Sequence, residues 1–357
     1  MSDRLTDYAI DIPEELIAQT PQSRRDASRL MVLHRTRGTV RHAQFSQLPQ
    51  LLRHGDLLVR NATRVIPARL LGQKEGTGGA VEMLLLHRVS KAPAGAVARY
   101  QVMAQPLRRL GVGTRVVFGD GVLRAQVVSR TQEVLTVDFF STVTMEEALA
   151  QCGEMPLPPY ITRRLHDPQR YQTVYATEGA SAAAPTAGLH FTSDICSQLR
   201  HRGVEIVDIT LTVGLGTFAA IRSEDISQHE MHTEHYNIST AAAEAITTAR
   251  QHGRRIIAVG TTVVRALESA VDDHGVIRSG TRSTNIFIRP PHTFRVVDAM
   301  ITNFHVPQSS LIIMVSAFAS REHILHAYAC AVRERYRFFS FGDAMMIIDD
   351  DSLFSNT

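Results

Sequence analysis

Four loops in this chain collect residue types that could do chemistry, each for a different physical reason. In residues 180–191 a run of small residues leads into Pro185, Thr186, Gly188 and His190 with no apolar period of 2 or 3.6. That pattern reads as a shaped loop, in which Pro185 fixes one φ and Gly188 lets the backbone crowd a ligand while Thr186 and His190 are presented to it. A small-residue packing seam is the competing reading. In residues 259–268 a strand ends at Gly260 and a helix starts at Thr261 or Thr262, where free N–H groups and the helix dipole suit a carboxylate or phosphate. Thr261, Arg265 and Glu268 share one face of that helix, and spacing alone reads them as a capped helix with a surface Arg–Glu pair. Residues 229–236 hold His229, His232, His235, Glu230 and Glu234. Imidazole and carboxylate suit zinc or iron, but histidines at i, i+3, i+6 drift around a helix, so acid–base work by His232 or Glu234 is preferred to a metal site. The fourth loop, residues 301–310, has a strand delivering Asn303 and His305 before Pro307 and Ser309 open the most apolar helix. Buried Asn and His that satisfy the backbone would look the same. Gly214-x-Gly216, at the end of a strand, is a weaker signal, since most such pairs are turns.

The elements that must position these loops fall into two kinds. Residues 69–140 read as strand after strand (80–89, 98–104, 115–118, 122–128, 134–140) joined by glycine-rich turns, a compact antiparallel barrel or sandwich. A helix with capping-box spacing opens at Thr144, and residues 156–159 (Pro-Leu-Pro-Pro) force an extended connector. From there helices (192–201, 240–252, 262–271, 309–319, 322–336) alternate with strands (204–213, 255–259, 285–289, 295–302, 344–348). A hairpin over residues 29–45 and a strand at 56–59 precede the barrel segment. The expected fold class is α/β: a large α/β/α layered domain, residues 1–64 and 144–357, carrying an inserted small antiparallel β-barrel domain, residues 65–143.

Composition sets the outer bounds. A chain of 357 residues, 44% hydrophobic and 20% charged, can build two ordinary domains. Its longest apolar run, residues 311–319, is far short of the roughly 20 residues that span a bilayer. The N-terminus shows no secretory h-region, and three distant cysteines argue against a disulfide framework, so a cytoplasmic location is expected. The net charge of +3 does not by itself imply nucleic acid. Of 38 Lys+Arg only Lys74 and Lys91 are lysines; the arginine clusters (Arg24 with Arg25, Arg163 with Arg164, Arg254 with Arg255, and Arg333, Arg335, Arg337) suit phosphates or are solvated faces. No Gly-x-Gly-x-Gly follows an early strand and no Walker loop is present, so a Rossmann-type cofactor site is not expected.

Taken together, the motifs resemble one family over nearly the whole chain. They are Asn61 with residues 63–69 (Thr-Arg-Val-Ile-Pro-Ala-Arg), 155–160 (Met-Pro-Leu-Pro-Pro-Tyr), 171–175 (Tyr-Gln-Thr-Val-Tyr) and 184–191 (Ala-Pro-Thr-Ala-Gly-Leu-His-Phe). Gly214-x-Gly-Thr-Phe218, Met231-His-x-Glu234, 259–262 with Arg265 and Leu267-Glu-Ser269, 302–305 (Thr-Asn-Phe-His), 336–339 (Tyr-Arg-Phe-Phe) and 342–345 (Gly-Asp-Ala-Met) follow in order. The chain resembles the S-adenosylmethionine:tRNA ribosyltransferase-isomerases of queuosine biosynthesis. It departs from their pattern at Thr212, where the family carries His, and at Ala62, where it carries a second Asn; a catalytically impaired tRNA-binding relative is therefore the alternative.

The resemblance implies that S-adenosylmethionine donates its ribosyl group as a substrate, with no tightly bound cofactor and no metal. The acceptor is 7-aminomethyl-7-deazaguanine at the wobble position of a tRNA with a GUN anticodon, and the enzyme is a monomer without a membrane. The sulfonium acidifies the adjacent ribose carbon. A base removes that proton, the ribose opens with loss of adenine, the aminomethyl group adds to the vinyl sulfonium, and the new ylid closes on the freed aldehyde and expels methionine. The products are adenine, methionine and an epoxycyclopentane on the base. His190 or Glu234 is expected as the base, His232 or His305 as the proton donor, and Thr261, Thr262 and Arg265 at the methionine carboxylate. Asn61, Thr63, Arg64, Pro185, Thr186, Gly188, Gly214, Gly216, Glu268 and Asn303 are expected to line the substrates.

Overall fold

A computed structural model describes residues 4–89, 92–212, 221 and 223–355, with backbone only at 178–180. Gly214 and Gly216 lie outside the described residues. In chain order, β1 (Arg29–His34) and β2 (Val40–Gln44) form a hairpin, α1 (Leu48–Leu51) leads to β3 (Leu57–Asn61), and β4 (Thr63–Val65) follows. Next come β5 (Arg69–Lys74), β6 (Ala80–Arg88), β7 (Ala98–Gln105), β8 (Arg115–Phe118), β9 (Leu123–Arg130), β10 (Leu135–Phe140), α2 (Met145–Cys152), β11 (Gly153–Glu154) and β12 (Glu178–Ser181). The rest is α3 (Ser193–His201), β13 (Glu205–Thr212), β14 (Glu234–Ile238), α4 (Thr240–Gln251), β15 (Ile256–Val259), α5 (Thr261–Ala270), β16 (Gly280–Thr284), β17 (Ala299–Asn303), α6 (Ser310–Ala319), α7 (Arg321–Arg333) and β18 (Ala344–Ile348).

The chain divides into two units, Met1–Thr63 with Pro158–Glu178 and Pro185–Thr357, and Arg64–Leu157 with Gly179–Ala184. Among the described residues the larger unit holds a nine-stranded sheet in the order β16-β14-β13-β3-β15-β17-β18-β1-β2. Its central strands β3, β15, β17 and β18 are buried at every residue, as strands covered on both faces must be. Alternate residues go to opposite layers. Leu58, Ile257, Val259, Ile301 and Met346 join Leu51 of α1 and Ile195 and Leu199 of α3 in one core, while α5 packs on β3, β13, β15 and β17. The edges are polar: every residue of β16 but Thr284 is exposed, which blunts edge-to-edge pairing.

In the smaller unit, β5-β6-β7-β10-β9-β8 close on themselves because β5 pairs with both β6 and β8, a six-stranded antiparallel barrel among the described residues. Strand β5 is absent from the sequence expectation, since its exposed Leu71 and central Gly72 hide the alternation. Gly72 is required where the barrel closes, for a Cβ there would run into Val117 O and the Phe118 ring. The smaller unit runs on to Leu157, past the expected residue 143, because β11 pairs with β5. Thr144 caps α2 in a reciprocal box with Glu147. The strand expected at 285–289 is not formed: the ladder to β14 is made by Gly280–Thr284, and the Ile286 carbonyl goes instead to a buried guanidinium.

Candidate active site

Strands β13, β3, β15 and β17 run parallel, so their C-terminal ends lie along one edge of the sheet, the place where α/β folds collect ligand groups. Asn61, Thr212, Gly260 and Asn303 are brought there by strand direction alone. Strand β14 is antiparallel to β13, with Thr212 opposite His235, and so starts at the same edge with Glu234.

Glu234 and Arg265 form the electrostatic centre of this edge. Arg265 Nη1 is 2.6 Å from Glu234 Oε2 and both side chains are almost fully buried, at 2% and 4% exposure. The contact is a close, buried ion pair. The Arg265 fork is spent elsewhere too, Nε donating to Ile286 O at 3.2 Å and Nη2 to His232 O at 3.5 Å. Burial lowers its pKa from the ordinary guanidinium value, and the Glu234 charge opposes that shift. The expected surface Arg–Glu pair on α5 is therefore not present. Arg265 is buried and pairs across to β14, while the Glu268 carboxylate accepts the N–H groups of Arg295 (2.8 Å), Val296 and Val297 (both 3.0 Å). Glu268 anchors the chain entering β17. Thr261 and Thr262 begin α5 after Gly260, whose φ of 95° turns the chain out of β15; no side chain caps this helix. Its first N–H groups stay available for an anion.

The loop of Pro185 and Thr186–His190 packs on the end of β17. His190 is 5% exposed and stacks at 5.1 Å on Phe45. Asn303 Nδ2 donates to Phe339 O and lies 3.2 Å from His190 Nε2, so the network puts the imidazole proton on Nδ1, which donates to Ser28 Oγ at 2.8 Å. Burial, with the fields of Arg25 and Arg337, pushes the His190 pKa down to about 4. His305 is lowered to about 3 by burial, with Nε2 2.7 Å from Thr302 Oγ1. Both rings are neutral at pH 7 and both Nε2 atoms are engaged.

Several expected residues behave differently. Asn61 Oδ1 accepts from Thr63 N and Leu211 N, and its buried Nδ2 has no partner among the described residues. Thr63 is buried; Arg64 is exposed and belongs to the smaller unit. His229, His232 and His235 do not share a helix, since His229 ends a short 3-10 turn and His235 lies on β14. Among the described residues no three His, Cys, Asp or Glu side chains group to hold a metal. Gly188 is fixed by its neighbours: a Cβ would overlap the Tyr175 hydroxyl and come within 2.8 Å of Thr173 Cγ2. Gly188→Ala is expected to cost about 1–3 kcal/mol, and Tyr175→Phe in the same chain to recover part of it; equal midpoints for wild type and Gly188→Ala in urea would refute the crowding. Ser28 and Phe45, which set the His190 ring, were not found from sequence, as a lone Ser and a lone Phe carry no pattern.

A profile of the family described as queuosine biosynthesis protein matches residues 5–347. The chain belongs to this family. Queuosine biosynthesis proteins similar to it include the S-adenosylmethionine:tRNA ribosyltransferase-isomerases of Symbiobacterium thermophilum, 52% identical over 97% of this chain and 100% of that one, and of Carboxydothermus hydrogenoformans, 51% identical over 97% and 100%. The crystal structure of the S-adenosylmethionine tRNA ribosyltransferase of Thermotoga maritima matches with a TM-score of 0.54 and 32% identity, over 96% of this chain and 100% of that one. Among the described residues of this family member no helix is long and apolar enough to cross a membrane.

Proposed function

We propose that this chain is an S-adenosylmethionine:tRNA ribosyltransferase-isomerase, using S-adenosylmethionine as a ribosyl-donor substrate. The observation that carries this is identity of about one half with proteins of that name along their full length. The binding-only alternative raised by Thr212 and Ala62 is not favoured by that relationship. On this reading the tRNA has a GUN anticodon and carries 7-aminomethyl-7-deazaguanine, and the enzyme works as a cytoplasmic monomer.

The chemistry needs an anion holder, a base and a proton donor. The uncapped start of α5 at Thr261 and Thr262 is the place for the methionine carboxylate, because Arg265 is committed to Glu234. Glu234 is the base: a carboxylate held by a guanidinium at the sheet edge can take the proton from the carbon beside the sulfonium. His232, exposed and with its carbonyl on Arg265, gives the proton to departing adenine. His190, Asn303 and His305 act as neutral hydrogen-bonding groups that shape the pocket. The experiment is a tRNA-dependent assay with S-adenosylmethionine and a chelator, read by mass for free adenine and the epoxycyclopentyl nucleoside. Both products are expected; tRNA binding without either product would sink the assignment.

A further inference from the structure

Three half-buried arginines near His190 are unlike the more deeply placed arginines of this chain. Arg60 forks onto Asp208, Arg255 onto Asp56 and Asp350, and Arg265 onto Glu234. Arg25, Arg170 and Arg337 pair with no carboxylate among the described residues and donate only to backbone carbonyls. Arg25 reaches Leu189 O (3.1 Å) and Gln169 O (2.9 Å), Arg170 reaches Ser23 O (3.0 Å) and Gln22 O (2.6 Å), and Arg337 reaches Thr20 O. Two donors are buried with no partner among the described residues, Arg170 Nε and Arg337 Nη1. The nearest acids, Asp167 and Asp343, act on Arg25 and Arg337 only through their fields. Asp343 spends its oxygens on the backbone N–H groups of Arg29 and Arg337, and Asp167 on that of Gln169.

Arg25 and Arg170 line a cavity of about 20 Å³ together with Ser28, His190, Ser340 and Gly342. That is room for one oxygen-sized group. A Cβ on Gly342 would strike the Arg337 and Phe338 backbone, so this part of the cavity wall is packed too closely for any residue but glycine. Guanidinium groups that line a small cavity and pair with no carboxylate among the described residues are the arrangement that binds oxyanions.

We propose that the cavity lined by Arg25 and Arg170, beside a His190 that also feels the Arg337 charge, is an oxyanion subsite, taking one oxygen of a tRNA phosphodiester. The identity of that oxyanion rests on the function proposed above; the subsite itself does not. Burial lowers the pKa of Arg25 and Arg337, and Arg170 adds to the lowering of Arg25, the strain that a bound anion would relieve.

The test uses the full chain and the substitutions Arg170→Gln, Arg170→Lys and Arg337→Gln, each checked by thermal melting. Inorganic phosphate is the first probe. It should raise the Tm of the wild type, raise that of Arg170→Lys less, and leave that of Arg170→Gln unmoved. The affinities for tRNA and for S-adenosylmethionine are then measured across salt. If the oxyanion is a tRNA phosphate, Arg170→Gln binds tRNA about tenfold more weakly, with a slope of log affinity against log salt shallower by about 0.7–0.9. If affinity for S-adenosylmethionine falls by that factor instead and the tRNA salt slope is unchanged, the oxyanion is the donor carboxylate and the tRNA reading is overturned. A wild type that responds to phosphate but binds no tRNA would keep the subsite and remove the tRNA reading. Folded Arg170→Gln and Arg337→Gln proteins that keep the phosphate response and both affinities overturn the subsite. Should Arg170→Gln fail to fold, Arg337→Gln with its own unpartnered donor carries the same comparison.

Discussion

Arg265→Ala should be among the most damaging single substitutions in the larger unit. It removes one partner of an ion pair buried to 2% and 4%, leaving Glu234 without its counter-charge, a loss of about 3–5 kcal/mol. Denaturant unfolding should show this as a fall in midpoint with little change in slope. Glu234→Gln keeps the shape and removes the proposed base; adenine release in a single turnover should slow by about 10²–10⁴-fold. Replacing both partners, Arg265→Met with Glu234→Leu, should be less destabilised than Arg265→Ala, since an apolar pair escapes the cost of a lone buried charge. The double variant should still be inactive. Adenine release by Glu234→Gln within a few-fold of wild type would move the base elsewhere along the sheet edge, and a double variant as unstable as Arg265→Ala would refute the electrostatic account.

Element boundaries were legible in the sequence because their signals are local. Gly260 followed by two threonines, Asn303 after an apolar strand, and the capping box at Thr144 each declare an element boundary within a few residues, and the structure places helices α2 and α5 and strand β17 there. Partners were not legible, because they are set by register and layer. Arg265 and Glu268 are three apart on one helix and look like neighbours, yet one reaches β14 and the other holds the backbone of residues 295–297. Ionisation was also hidden, since His190 and His305 read as near-neutral acid–base groups until burial lowers both. The arginine cluster containing Arg25 was open between phosphate contact and solvated face for the same reason: only the fold shows which guanidinium meets a carboxylate.

That same burial predicts how the protein responds to acid. An unfolded histidine titrates near 6.5, whereas His190 and His305 in the fold do so at about 4 and about 3. Between these values the unfolded chain binds the protons and the folded chain does not, so each ring contributes stability that is complete above about pH 6.5 and is lost as pH falls toward its folded pKa. By pH 4.5 each should have withdrawn roughly 2–3 kcal/mol, together a large share of the 5–15 kcal/mol typical of a folded protein. Denaturant midpoints measured from pH 7.5 to 4.5 should therefore fall steeply below pH 6.5. The limiting slope from these two groups is about two protons, and His190→Gln and His305→Gln should each reduce it by about one. Variants that are less stable at pH 7.5 yet keep the wild-type slope would show that the rings are protonated in the fold. In that event the neutral His190, with Nδ1 donating to Ser28 and Nε2 facing Asn303, would be the wrong tautomeric state, and His190 would return as an acid or base in the reaction.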